Sequence, residues 1–555
     1  MKILYIIPII GALFVGCDLQ RDPFDEIDAD RLFESEGAIE TATLGNYALL
    51  KGGINGENGY NGWSDDLHRI SEYAGDNVSL SGGTTDHLFF LYNYQSIASN
   101  SRVARFWDNS YKIVVGANKV LESIEEGESE ELDQLLGENY YLRGLVYFQM
   151  GNVFGKPYNR GGANLSVPLK LTSDVDDIPD RHTVQEVYDQ VISDLLKAES
   201  LMTVDKSASF ATKEAAQALL SRVYLYMEDN DNADLYADKV ISSGRYSLLS
   251  ADQFREMNTL KPTENSEAIF AITLNDGADL NGQWDHWFTL GSFYASIEGV
   301  GWGEMYASRT YLDLLNQNDN DARSAFIEPQ YLLDDNGNKI PAVFWVDDAL
   351  VYQFRETTEN GGDLTIEEDG ATYTVESEVA DGKTKYFFNG PEGKQYVQKD
   401  FDMQKRNGHP KWFILKASQQ EGNGHLWSPL VSRLAEMYLN KAEALAKRSM
   451  DQQALDNLNV IRNVRDVPPY TSVGDIPAGK TVLDIVLEER RLELAYEGHR
   501  RFDVYRNNRT MDRRYPGTHL NGADPFTEIP PTHNRIIEFI PEKQIVLQPS
   551  LIQND

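Results

Sequence analysis

The densest run of groups able to do acid–base chemistry is Thr481 to Arg506, TVLDIVLEERRLELAYEGHRRFDVYR. Glu488, Glu489 and Glu493 could supply a general acid and a general base, with His499 as a proton shuttle. The same spacing supports a second reading. Glu489, Glu493 and Glu497 recur at i,i+4 and repel one another unless cations lie against them. Arg490, Arg500 and Arg501 are near enough in sequence to be those cations. The stretch is then a buried ion-pair girdle that locks a helix into a larger helical body. Leu483, Leu487 and Leu494, with Val486 beside them, give that helix an apolar side. Gly498 suits a helix C-cap, and a helix can restart at His499.

Binding chemistry concentrates elsewhere. Gly52 to Gly83 is rich in Gly, Asn, Asp and Ser and reads as long loops, with Trp63 inside and Phe89, Phe90, Tyr92 and Tyr94 just beyond. A second loop region, NGQWDHWFTLGSFYASIEGVGWGEMY (281–306), carries Trp284, Trp287, Phe293, Tyr294 and Trp302. Flat rings stack on the apolar C–H faces of sugars, while Asn, Asp and Arg bind hydroxyls. Trp63, Tyr92, Tyr94, Trp284, Trp287, Tyr294 and Trp302 are therefore the candidate ligand-binding residues. The competing reading is that these rings form satellite cores beneath the loops.

Other chemistry finds little support. Asp334-Asp335-Asn336-Gly337 and Asn318-Asp319-Asn320-Asp321 are similar to calcium loops but lack the full spacing with a Glu twelfth, so structural calcium has no complete motif. The 9 histidines are scattered, without a zinc spacing. No nucleophile elbow, Walker A or dinucleotide fingerprint stands in a convincing context. Carboxylate pairs for glycoside hydrolysis abound, and nothing selects one of them.

The elements that must hold these residues are mainly helical. Val103–Ile124, Glu138–Phe154 and Thr183–Leu201 read as helices, the last with Thr183 as N-cap and Glu186 in the capping-box place. Thr212–Ser243 and Val431–Val464 each read as a helix-turn-helix unit: an Ala-rich first helix, a short polar turn, a second helix. The unit length is near that of tetratricopeptide repeats. The fold class is mainly α, a scaffold of tetratricopeptide-like pairs over roughly 100–245 and 430–510. A loop- and strand-rich ligand-binding insertion occupies roughly 265–425. Strands are expected at Ala371–Val375 and Lys385–Phe388, with turns at Asp381-Gly382 and Asn389-Gly390.

Composition bounds the partners. A net charge of −36 argues against nucleic acid, whose phosphates need a basic surface, and favours neutral ligands. The single cysteine, Cys17, follows a short basic start, an apolar run Ile3–Val15 and Gly16. That order resembles a bacterial lipoprotein signal over residues 1–16, with Cys17 as the lipidated first residue of a mature chain 17–555. Acyl chains would hold the protein on a membrane with its fold in water. Asp18, Asp22, Asp25 and Glu26 resemble the signal that sends some lipoproteins to the cell exterior.

Taken together, these motifs resemble the SusD/RagB-type nutrient-binding outer-membrane lipoproteins. The resemblance rests on FWDNSYKIVVGANKVLE (Phe106–Glu122), ENYYLRGLVYFQMGNVFGKPY (Glu138–Tyr158), Val167-Pro168-Leu169 and ATKEAAQALLSRVYLYM (Ala211–Met227). It continues in GWGEMYASRTYLDLLNQNDNDAR (Gly301–Arg323), RLAEMYLNKAEAL (Arg433–Leu445), EERRLELAYEGHRRFDVYR and the tail IPEKQIVLQPSLIQN (Ile540–Asn554). It departs at Gly144, where alanine is usual, and at Gln548, in place of asparagine. Membership implies helix pairs cradling a loop-rich half, no catalysis, and capture of oligosaccharides, or peptides in some branches. It also implies a SusC-like TonB-dependent transporter as partner. A glycoside hydrolase is the alternative of a different class, and the girdle reading of the Glu-Arg stretch gains from the resemblance.

Overall fold

The computed structural model describes residues 37–51, 62–275, 279–280, 287–380, 383–522 and 525–555. The leader, Cys17, Trp284 and the expected Asp381-Gly382 turn lie outside the described residues.

Helices start where side-chain oxygens can satisfy the orphan N–H groups of a first turn. Asn100, Ser129, Thr212 and Asp229 each do so, ahead of Ser101–Ser123, Glu130–Phe154, Lys213–Tyr226 and Asn230–Ser242. Thr183 and Glu186 close the expected capping box ahead of Val184–Leu201. The second of these helices begins at Glu130 rather than Glu138. Glu130, Glu131 and Asp133 fill its first turn, where negative charge complements the helix dipole. Gly137, Gly144 and Gly151 recur once every two turns on it. A Cβ there would stand 2.6 Å from Met202 Cγ, 3.2 Å from Leu195 Cδ2 and 3.4 Å from Val187 Cγ1. Their bare backbone lets the Val184–Leu201 helix lie close.

Both helix-turn-helix units form, as Lys213–Tyr226 with Asn230–Ser242 and Leu434–Lys447 with Asp451–Val464. The Leu434–Lys447 helix also packs on Asn230–Ser242, so units far apart in sequence stack side by side. Buried Ala215, Ala216, Ala218, Ala442 and Ala444 permit the approach. Arg222 grips Glu436 through two contacts of 2.6 Å across the junction.

The loop-rich half is more ordered than expected. Within Gly52–Gly83, read as loops, stand a helix at Trp63–Glu72 and a strand at Val78–Leu80. The helix buries Ser64, Asp66, Ser71 and Glu72 beside Trp63 and Ile70. Those polar residues break the apolar period that would have announced it.

Residues 341–401 form β1 (Pro341–Val346), β2 (Tyr352–Asn360), β3 (Asp363–Glu368), β4 (Ala371–Thr374), β5 (Glu376–Ala380), β6 (Lys383–Gly390) and β7 (Gly393–Phe401). The antiparallel order is β4-β3-β2-β1-β7-β6-β5. Its two end strands are separated in the chain by Val375 alone, so the sheet curls on itself. β4 touches β6, and Val343, Trp345, Ile366, Phe388 and Val397 fill the interior. Phe344, facing outward between Val343 and Trp345, stacks on Phe354 with centroids 5.0 Å apart. Through Phe344 the curled sheet joins the core beneath the loops, which includes Tyr73, Tyr294, Met305, Trp412 and Tyr496. The expected turn at Asn389-Gly390 falls instead at Pro391-Glu392, because Asn389 and Gly390 are still paired with Lys394 and Gly393. Proline cannot donate to the ladder and is tolerated in the turn.

The Glu-Arg stretch forms the helix Val482–Glu493, then turns through Tyr496 (φ 65) and Gly498 (φ 83) into Arg500–Arg506. Glu493 lies 2.7 Å from Arg433 and 2.9 Å from Arg465. The same two arginines reach Glu267 at 3.1 and 2.7 Å. Glu489 pairs with Arg323 at 2.6 Å and Arg462 at 2.5 Å. Lys416 comes from the loop side to Glu497 at 2.6 Å and to the carbonyls of Glu493 and Ala495, each at 2.9 Å. Burial pushes the Glu493 carboxyl up, but Arg465, Arg433 and Arg323 hold it well below the ordinary carboxylate range. Burial, then Arg222, keeps His499 neutral by lowering its pKa far below the usual histidine value. Glu488 pairs with Lys480 at 2.6 Å. Glu489 and Glu493 thus face cations rather than a cleft, and the girdle reading replaces the acid–base one. The neighbouring arginines expected to neutralise the ladder go elsewhere: Arg490 pairs with Asp503 at 2.8 Å, Arg501 with Glu538 at 2.8 Å, and Arg500 grips Asp76, at 2.6 Å, on the loop side rather than the repeat body.

Glu493→Gln removes a charge that three guanidinium groups share, those of Arg433, Arg465 and Arg323. Breaking a buried pair costs about 3–5 kcal/mol. Urea denaturation is expected to show a loss of that order.

Candidate functional site

Three segments converge where aromatic rings meet solvent. The first is the strand Met305–Ala307, paired with Val78–Leu80. The second is the loop before it. There Ile297 and Val300 bridge across Glu298 (φ 51) and Gly299 (φ 81), a tight turn needing positive φ at both central positions. The third is a small hairpin, Lys405–Arg406 against His409–Pro410, turned by Asn407 (φ 51) and Gly408 (φ 82).

Trp302 projects from the loop between Gly301 (φ +100) and Gly303 (φ +48). A Cβ on Gly301 would stand 2.4 Å from the Ala295 carbonyl oxygen and 2.5 Å from His425 Nε2, so only glycine fits. The Trp302 Nε1–H donates to the Trp287 carbonyl at 2.7 Å, which also accepts from Ser292 Oγ at 2.7 Å. The two indoles meet edge to face, 5.1 Å apart at 76°. Trp302 is 42% exposed and neighbouring Phe288 is 45% exposed, with Trp287 half-buried between solvent and protein. Arg69 Nη2 donates to the Phe288 carbonyl at 3.2 Å, fixing the other side of the patch. From the hairpin, Arg406 donates to the Trp302 carbonyl at 2.8 Å and to Glu304 at 2.7 Å, and Asn407 donates to the Ser81 carbonyl at 3.0 Å. The result is a braced aromatic surface with a guanidinium, a carboxylate and an amide around it.

The other candidate residues lie apart from it, in the core. Trp63 is buried with its Nε1–H on Ser110 Oγ at 2.9 Å. The Tyr92 hydroxyl meets His519 Nδ1 at 2.9 Å, under the Arg513 guanidinium. The Tyr94 hydroxyl donates to the Ala74 carbonyl at 2.6 Å and accepts from Tyr505 at 2.7 Å. The Tyr294 hydroxyl meets His68 Nε2 at 2.8 Å. Each polar tip is satisfied inside the protein, as buried aromatics require. The sequence reading missed Phe288 and the Lys405–Pro410 hairpin. The Asn407-Gly408 dipeptide was the signal for that hairpin.

Apart from a cavity of about 370 Å³ at Tyr47, Phe210 and Phe270, where the Tyr47 hydroxyl is committed to Glu138 at 2.9 Å, two cavities compete with the surface patch. One, of about 70 Å³ among Trp63, His68, Trp427 and Glu497, is well below the roughly 300 Å³ at which ligand pockets begin. The other is a groove of about 930 Å³ lined by Trp107, Tyr111, Ile178 and Leu551. Trp107 is buried, and the Tyr111 hydroxyl is committed to the Pro168 carbonyl at 2.7 Å. The acidic turns serve the backbone: Asp334 accepts from the Asn336 and Asn338 N–H groups at 2.9 and 2.8 Å, and Asp321 pairs with Arg323 at 2.6 Å. Among the described residues no group of three or more metal-ligating side chains is placed to hold an ion.

A sequence profile of the SusD family matches residues 266–555, more than half of the chain. The chain belongs to the SusD family. A second profile, described as starch-binding associating with outer membrane, matches residues 50–225. A SusD-like protein of Formosa agariphila is 30% identical over 34% of this chain and 36% of its own length. Another from that organism is 27% identical over 59% of this chain and 63% of its own. The chain thus spans less than two thirds of these relatives. A SusD superfamily structure from Bacteroides thetaiotaomicron superposes with a TM-score of 0.71 at 25% identity, covering 93% of this chain and 99% of that one. Surface glycan-binding protein A of Bacteroides uniformis shares the fold with a TM-score of 0.64 at 18% identity, covering 94% and 99%.

In this SusD-family chain two buried histidines couple the aromatic core to pH. Burial, then Arg69, lowers His68 to about 3. Burial, then Arg513, lowers His519 to about 2. His519 Nε2–H donates to the Arg513 carbonyl at 2.6 Å, so Nδ1 must accept from Tyr92 and has no room for a second proton. Both rings stay neutral in the folded state, whereas an unfolded histidine titrates near 6.5. Below that value the unfolded chain takes up protons that these two folded rings refuse, so their contribution to stability falls as pH drops, by up to about 1.4 kcal/mol per pH unit for each ring. Burial pushes the Asp65 and Glu72 carboxyls up to about 7, and these act on stability in the opposite direction over the same range, so the readout is the rings themselves. The imidazole NMR signals of His68 and His519 are expected to show no protonation shift from pH 7 down to 5, and a titration of either ring near 6.5 would contradict the assignment.

Proposed function

We propose that this protein is a non-catalytic, lipid-anchored outer-membrane receptor. It captures neutral oligosaccharides on the Trp287–Phe288–Trp302 surface and passes them to a SusC-like TonB-dependent transporter. One observation carries the choice of site: Trp302 stands exposed, beside exposed Phe288, on a loop that glycine close contacts, an indole N–H and a guanidinium all hold in place. Exposed aromatic area this heavily braced has no packing role to repay it, and it is the surface sugars stack on. Glu304, Arg406 and Asn407 sit within reach of the hydroxyl groups of a stacked sugar. The balanced charge of the Glu304–Arg406 pair suits a neutral ligand. The lipoprotein-like start at Cys17 supports the anchored state, and among the described residues no helix is long and apolar enough to cross a membrane.

The test uses the chain from Asp18 onward, titrated calorimetrically with maltohexaose, cellohexaose, xylohexaose and mannohexaose. Binding to at least one is expected. Trp302→Ala and Trp287→Ala should each weaken it roughly tenfold, about 1.4 kcal/mol. If both variants bind as the parent does, the platform is not the site. Co-purified peptide with no sugar binding would instead make the cargo a peptide.

A further inference from the structure

We propose that Arg406 is a positioning residue for the aromatic platform: it holds the Trp302 indole in register from the backbone side. The proposal rests on the platform being the ligand site, but its geometry can be tested without any ligand. Trp302 stands between Gly301 (φ +100) and Gly303 (φ +48), residues with the widest conformational freedom of any. Left alone, such a segment does not fix the direction of the side chain between its glycines.

Two contacts fix it. On the side chain, the Trp302 Nε1–H donates to the Trp287 carbonyl at 2.7 Å. On the main chain, Arg406 Nη1 donates to the Trp302 carbonyl at 2.8 Å. The second contact comes from a different part of the fold, and the guanidinium is itself anchored. Its Nη2 donates to Glu304 at 2.7 Å, two residues beyond Trp302. The hairpin that carries it is pinned by Asn407 Nδ2 on the Ser81 carbonyl at 3.0 Å, and a Cβ on Gly82 would stand 2.9 Å from that same nitrogen. One planar fork therefore spans the glycine-flanked residue, touching its carbonyl and the carboxylate beyond it. Lysine, a single ammonium on a flexible stem, cannot present two N–H directions at that fixed angle. Arg406 is 39% exposed on its side chain. Its removal leaves no buried cavity, so loss of fold is not the expected consequence.

The readout is the exciton couplet in the circular dichroism of two indoles in edge-to-face contact. It is a property of the Trp287–Trp302 geometry and is assigned by its loss in Trp302→Ala. Arg406→Ala is expected to reduce the couplet by at least half, with the melting midpoint within about 2 °C of the parent. Arg406→Lys should restore the charge but not the couplet. For whichever hexasaccharide the parent binds, Arg406→Ala should raise Kd about five- to tenfold. An unchanged couplet in Arg406→Ala, or full recovery in Arg406→Lys, overturns the positioning role. If the couplet falls in Arg406→Ala while Trp302→Ala leaves the Kd unchanged, the positioning role stands and the platform reading fails.

Discussion

Everything in this chain hangs on a charge problem solved in the interior. Glu267, Asp321, Glu489, Glu493 and Glu497 are buried together with Arg323, Arg433, Arg462, Arg465 and Lys416. A carboxylate taken out of water is tolerable only if its partners are equally buried and well aimed. Here five negative groups meet five positive ones, so the net −36 of the chain resides elsewhere, overwhelmingly at the surface. The partners come from the strand at Ala268–Ala271, the second repeat unit, the Val482–Glu493 helix and the loop half. None of these can be displaced without stranding a charge. That requirement is directional in a way apolar burial is not, and it registers the loop half against the helices.

The aromatic surface depends on this registration indirectly. Lys416 follows the strand Trp412–Ile414 and binds the chain just after the Val482–Glu493 helix. That strand belongs to the same core as Tyr294 and Met305, from which the platform loop rises. The body supplies a rigid floor, and the glycine-rich loop supplies close approach. Fixed donors then orient the exposed rings. Affinity for a flat ligand gains from such preorganisation, because ordering of the loop is already complete before binding.

The helical half was legible because its signals are local. Thr183 with Glu186, and the alanines of Lys213–Tyr226, announce themselves within a few residues. The sheet was legible only as strands, since its closure depends on β4 and β5 meeting partners on opposite ends of the order. The candidate aromatics were half legible. Trp287 and Trp302 are where loop rings were expected, but Trp63, Tyr92, Tyr94 and Tyr294 turned inward. Nothing in their neighbourhoods distinguished them, because the groups that satisfy them, Ser110, His519, Ala74 and His68, lie on other elements. Exposure is a tertiary property, and a ring beside a glycine can face either way. The Asn407-Gly408 turn was readable, but its meeting with Trp302 was not.

The curled sheet leaves the body where it came in. Pro341 is paired with Phe401, and the Asp402 N–H meets the Ile340 carbonyl at 2.8 Å. A segment whose two ends lie side by side is a cassette. It can be gained, lost or exchanged between genes without moving the residues on either side, provided the short ladder at its neck survives. Diversity can then arise by swapping a whole module beside an unchanged helical frame, a far larger step than point substitution allows. For engineering, any replacement of residues 342–400 would also have to cover Trp412, against which Phe344 and Tyr352 pack at 6.0 and 5.3 Å.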